Sequence, residues 1–253
     1  SPRIDVKQNP LYENEEFAYL DTHYYGGIKK YQWVAQPLAL HGVVVKKDGT
    51  VTKVSIGEEE GDPVFVITDL LIHLAQEQME KKASKVIEGE KLDLLIGNRP
   101  AEKVLDETSE PDQSSDNGGS GKKSDQVKAN VLRLLKEKYD MDEEDFTSAE
   151  LEIVPAGKAR DCGLDRSMIL SYGQDDRVCA FTSLFAMLDV TDAKRTGCCL
   201  LVDKEEIGSV GATGMHSKFF ENTVAELIAL TEGESELKVR RALANSRMLS
   251  SDV

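Results

Sequence analysis

No apolar run in the 253 residues approaches the roughly 20 consecutive positions that a membrane-spanning helix needs. No apolar signal region follows the opening Ser1-Pro2-Arg3-Ile4-Asp5, so a cytoplasmic location is expected. Positive charge is scarce. Lys and Arg number 31 against 46 Asp and Glu, for a formal net charge of −15. That balance repels phosphate backbones and anionic lipid, which argues against nucleic acid and membrane surfaces as partners. Cysteine is scarce too: Cys162, Cys179, Cys198 and Cys199 have no CxxC spacing and read as reduced thiols. What is present is ordinary for a globular chain. A 40% hydrophobic and 30% charged composition excludes disorder, collagen and coiled coil as global descriptions. The length suffices for one large domain or two modest ones.

One break in composition organises the chain. Residues 106–124, DETSEPDQSSDNGGSGKKS, hold no large apolar side chain, which predicts a flexible loop. Before it the pattern is β-rich. The run 38–45, the turn Lys47-Asp48-Gly49-Thr50 and the run 51–56 predict a hairpin. A short strand at 64–67 should follow, then a helix over 69–81 burying Leu70, Leu71, Leu74 and Ala75. After the loop, a helix is expected near Gln126–Tyr139 and a strand at 150–154. Strand segments 168–172, 198–202 and 247–250 then alternate with helices over 177–188, 218–230 and 236–244. Short buried strands between amphipathic helices predict an α/β fold with a mainly parallel sheet. The division expected is a catalytic α/β domain from 1–27 and 151–253, with 28–150 as an inserted β-rich domain.

In open parallel sheets, ligands bind beyond the carboxyl ends of the strands. Those ends carry Asp175-Asp176, then Asp203-Lys204-Glu205-Glu206, then Asp252. Like charges delivered to one rim need cations to neutralise them, and hard oxygen donors suit zinc, manganese or cobalt in a two-metal hydrolytic site. Two blander accounts stand beside this one. Asp175 or Asp176 could cap the helix that follows, and Glu205-Glu206 could be a solvated loop pair. Gly208, Gly211 and Gly214 allow close backbone approach but lack the Gly-Lys-Ser/Thr ending of a phosphate loop. Among the histidines, His41 reads as structural, His23 and His216 as turn residues, and His73 as a solvated side chain opposite an apolar face.

The segment Asp203-Lys204-Glu205-Glu206-Ile207-Gly208-Ser209 resembles the signature of the aspartyl aminopeptidase and aminopeptidase I family of zinc metallopeptidases, the bacterial branch most. Ser1-Pro2-Arg3, Tyr25-Gly26-Gly27-Ile28, Gly173-Gln174-Asp175-Asp176-Arg177 and Leu249-Ser250-Ser251-Asp252-Val253 fit the same family in the same order. The resemblance implies a co-catalytic zinc exopeptidase fold whose inserted domain mediates dimerisation. It implies two divalent ions, zinc with cobalt or manganese as alternatives. Asp175 resembles the bridging metal ligand, Glu206 a ligand of one ion and Asp252 a ligand of the other. Glu205 resembles the general base, and His73 the histidine that crosses a dimer interface into a partner's active site. The activity implied is hydrolysis of acidic or neutral amino-terminal residues from short peptides, by homodimers assembled into a homododecamer. The family's first His-x-Asp ligand segment would precede Ser1 and its last histidine ligand would follow Val253. The chain thus reads as an internal portion, expected to bind metal poorly by itself. The alternative is a non-catalytic oligomerisation module; a phosphoesterase is disfavoured by the want of an arginine-rich or phosphate-loop anion site.

Overall fold

The computed structural model describes residues 1–101 and 125–252, so the loop expected at 106–124 lies outside the described residues. The chain divides into two compact units: Arg3–Lys158, and Ser1–Pro2 with Ala159–Val253.

The larger unit is built by six antiparallel strands. They are β1 (Arg3–Asn14), β2 (Phe17–Tyr25), β3 (Leu38–Val45), β4 (Val51–Ile56), β5 (Leu94–Gly97) and β6 (Ala149–Pro155), in the spatial order β4-β3-β6-β1-β2-β5. The β3–β4 hairpin forms as its Asp-Gly turn predicts: Val45 pairs with Val51, Gly49 takes φ +85°, and Asp48 accepts from the Thr50 amide at 2.8 Å. Period-2 alternation sends Leu40, Leu151 and Ile153 inward, where they join Ile4, Leu20 and Val44. Gly42 has φ +148°, and a Cβ there would collide with the Glu150 carbonyl of β6, so the β3–β6 approach requires glycine.

Helix α2 (Gln126–Tyr139) packs against β1, β2 and β5, burying Val127 and Val131. Its amino end is not capped locally. Glu13 reaches from β1, 114 residues away, and one carboxylate oxygen accepts from the Val127 and Lys128 amides at 2.9 Å each.

The two compact units part at 2/3 and 158/159, and Ile4 pairs with Ile153 so that β1, β2 and β6 share one sheet. One expectation changes here. The helix expected over 69–81 is instead a 3-10 turn, Ile72–Leu74, and a single helical turn α1 (Gln76–Met79). Ala75 is buried, but Leu70, Leu71 and Leu74 are 55 to 71% exposed. Helical spacing there never meets a surface to bury its apolar stripe, and short helices are marginal without one.

The smaller unit contains β7 (Arg160–Cys162) paired antiparallel with β8 (Met168–Leu170), then α3 (Gln174–Leu188), α4 (Phe219–Glu232) and α5 (Glu236–Ala244). The helices match the sequence periodicity. The mainly parallel sheet does not form among the described residues: 198–202 and 247–250 carry no ladder, and the single parallel contact is the isolated bridge Asp203–Gly214. Parallel strands are stable only when bonded on their edges and covered on both faces. Here Leu170, Leu201 and Leu249 are 67, 59 and 94% exposed. Among the described residues no helix is long and apolar enough to cross a membrane.

Candidate metal centre

The large apolar cavity of the larger unit, about 810 Å³, lies among Leu20, Leu40, Val54, Leu95, Val131 and Leu135. Its lining is overwhelmingly aliphatic and aromatic, so it offers packing rather than chemistry. Among the described residues, the group of carboxylates that could share a cation is in the smaller unit.

There β8 runs through Tyr172 into Gly173, which opens α3 at φ +86°. The next two aspartates depart from helical geometry, Asp175 at φ −84°, ψ 111° and Asp176 at φ −122°, ψ 35°. This kink turns two successive carboxylates toward one place. Asp252 joins them, and each of Asp175, Asp176 and Asp252 supplies an oxygen within 4.8 Å of the others. Among the described residues this is the only such group of three or more His, Cys, Asp or Glu donors.

Helix capping does not account for the arrangement. Oδ1 of Asp176 is buried and has no hydrogen-bond partner, so it caps no amide. A buried carboxylate oxygen without a donor, beside two more carboxylates, is costly unless a cation compensates it. Three hard oxygen donors fit a divalent ion, and zinc also accepts carboxylate ligands. The cluster sits at the amino end of α3, whose dipole favours negative charge. One turn into the helix, the Cys179 thiol feels the same charge. The Ser251 hydroxyl is the largest influence and lowers its pKa, but burial and the Asp176 and Asp252 carboxylates together raise it.

Of the residues singled out from the sequence, Asp175 and Asp252 lie together in this group, and Glu205 and Glu206 are not members of it. Glu205 and Glu206 lie exposed on a 3-10 turn, Glu205–Ile207, between Lys204 at φ +68° and Gly208 at φ +79°. That loop is closed by Ser209 N donating to Lys204 O at 2.7 Å and Asp203 N to Thr213 O at 3.0 Å. His73 lies exposed on the 3-10 turn of the larger unit. His41 pairs with Glu58 at 2.9 Å, in keeping with a structural role, while His23 is on β2 rather than in a turn and pairs with Glu90 at 2.9 Å. Sequence reasoning counted Asp176 among the rim carboxylates but assigned it no ligand role. Its signal was the doubled Asp after Gly-Gln, which alone is indistinguishable from a helix start.

Three clustered carboxylates, one of them with a buried oxygen that makes no hydrogen bond, are a donor set that could hold a divalent cation. The description "Aminopeptidase I zinc metalloprotease (M18)" matches residues 1–253, and the chain belongs to that family. It is 60% identical over its full length to a probable M18 family aminopeptidase 1 of Clostridium acetobutylicum, covering 51% of that protein. The crystal structure of aminopeptidase I from the same organism aligns with a TM-score of 0.78 at 59% identity, over 100% of this chain and 50% of that one. The M18 aminopeptidase of Thermotoga maritima aligns with a TM-score of 0.78 at 43% identity, over 95% of this chain and 49% of the other. A yeast mApe1 structure described as a dodecamer shares the fold at 18% identity, with a TM-score of 0.61 over 100% of this chain and 52% of that one. The chain therefore spans about half the length of the curated relatives it matches.

Proposed function

We propose that this chain carries the carboxylate half of a metallo-aminopeptidase site, which removes amino-terminal acidic or neutral residues from short peptides. The observation that carries the reading is the Asp175–Asp176–Asp252 cluster with its unpartnered buried oxygen, in a chain matched end to end by an aminopeptidase family. Asp175 and Asp252 would hold two divalent ions, zinc before cobalt or manganese, with Glu206 as a further ligand. Bound ions of this kind supply Lewis acidity toward a carbonyl and acidify water. Glu205 would take the proton of the attacking water and return it to the leaving amine. His73 would serve a partner's site across a dimer, and dimers would assemble into a homododecamer in the cytoplasm. The exposed apolar run around His73 supports a covered surface there.

Zinc content after loading and desalting tests the reading. The expected result is a small but measurable amount of zinc in the parent chain, as suits half a ligand set, and at least tenfold less in Asp252→Asn. Equal binding in both would remove Asp252 from the site. The exposed 70–74 run also favours a second reading, an oligomerisation module without catalysis. That reading predicts a dimer whose stability is indifferent to metal, and a monomer by light scattering would count against it.

A further inference from the structure

The carboxylate cluster is tied to the beginning of the chain by two hydroxyl groups that no catalytic role uses. Tyr172 donates from its hydroxyl to the Pro2 carbonyl at 2.7 Å, across 170 residues of sequence. Ser1 donates from its hydroxyl to the backbone carbonyl of Asp175, across 174 residues. The peptide that carries Asp175 is thus held from the far end of the chain, while the residue three positions before it holds the same dipeptide in return. Arg177 closes the arrangement from the other side, its Nη1 lying 3.4 Å from the Tyr172 carbonyl and its amide donating to the Gly173 carbonyl at 3.3 Å. Gly173 leaves room for this. It is buried at φ +86°, and a Cβ there would collide with the Arg177 guanidinium and lie 3.6 Å from Ser1 Oγ. Ser1 and Pro2 belong to the smaller unit although Arg3 begins the larger one, and both hydrogen bonds join them to that unit.

We propose that Tyr172 and Ser1 are positioning residues, a clamp that fixes the kinked Asp175–Asp176 peptide so that both carboxylates face the cation. The proposal rests on the metal reading above. Groups that orient ligands without touching the ion commonly change metal affinity by about 10- to 100-fold when removed.

The test is titration of the whole chain with Co²⁺, followed by its visible absorption, for the parent, Tyr172→Phe and Ser1→Ala. Tyr139→Phe is the control, because it removes a hydroxyl that donates to Ser55 O at 3.1 Å in the other unit. Folding is checked by far-UV circular dichroism. The expected result is affinity at least tenfold weaker and an altered cobalt spectrum in Tyr172→Phe, with the control unchanged. Parent affinity and spectrum in a folded Tyr172→Phe would overturn the clamp. If Tyr172→Phe fails to fold, Ser1→Ala takes its place: weaker cobalt binding supports the clamp, and parent affinity overturns it. Should the parent bind no cobalt, the metal reading falls, and amide exchange at 175–177 decides the clamp separately. Faster exchange in the variants supports it, and unchanged exchange overturns it.

Discussion

The two units bury their apolar side chains very differently. Every apolar side chain buried among the described residues, from Ile4 to Val154, belongs to the larger unit. In the smaller unit Phe181, Phe219 and Leu230 are 62, 69 and 82% exposed, although each lies on a well-formed helix. An antiparallel sheet closes its ladders with hairpin neighbours and needs cover on one face only. A set of parallel strands needs several partners at once and helices on both sides. The same chain therefore completes the first kind of core and leaves the second open, while still drawing together the carboxylates, which depend on the local kink at Asp175–Asp176.

The sharpest test of this contrast is truncation of one leucine in each unit. Leu20→Ala should destabilise the larger unit by about 2–5 kcal/mol, read in urea by the fluorescence of the sole tryptophan, buried Trp33. Leu230→Ala should change hydrogen-exchange stability of α4 by no more than about 0.5 kcal/mol. A comparable loss in both would mean that α4 is covered in solution. A smaller effect is expected from Glu13→Gln, which weakens the long-range cap on α2 by about 1 kcal/mol, seen as faster exchange of the Val127 and Lys128 amides. The smallest is a pH effect at the other end of α2. Lys136, then Lys46, hold the Asp140 carboxyl down at about 2. A folded-state pKa below the unfolded value means that this contribution is present above pH ~4 and is lost as pH falls toward 2. Asp140→Asn should flatten that acid limb of the stability profile and leave neutral pH nearly unchanged.

Much of this was legible in residue order. The Asp48-Gly49 hairpin, α2, α5 and the helical bodies of α3 and α4 follow from spacing, because each is decided by contacts within a few residues. Asp175 and Asp252 were legible as rim carboxylates by motif. The failures share a cause. The stripe at Leu70, Leu71 and Leu74 has helical period but no surface to meet, and the apolar segments 198–202 and 247–250 have strand composition but no ladder. Periodicity records which face wants burial and says nothing of whether a partner is there.

The residue order by itself determined the β3–β4 hairpin, the helices α2 to α5, the acidic charge balance and the carboxylates available for a cation. Tertiary structure alone decided that β1, β2 and β6 share one sheet, that Glu13 caps a helix 114 residues away, that Ser1 reaches the Asp175 carbonyl and that Tyr172 reaches the Pro2 carbonyl. Those outcomes depend on groups far apart in sequence being brought within about 3 Å, the distance at which a hydrogen bond forms. Side-chain spacing along the chain carries no record of such meetings until the fold makes them.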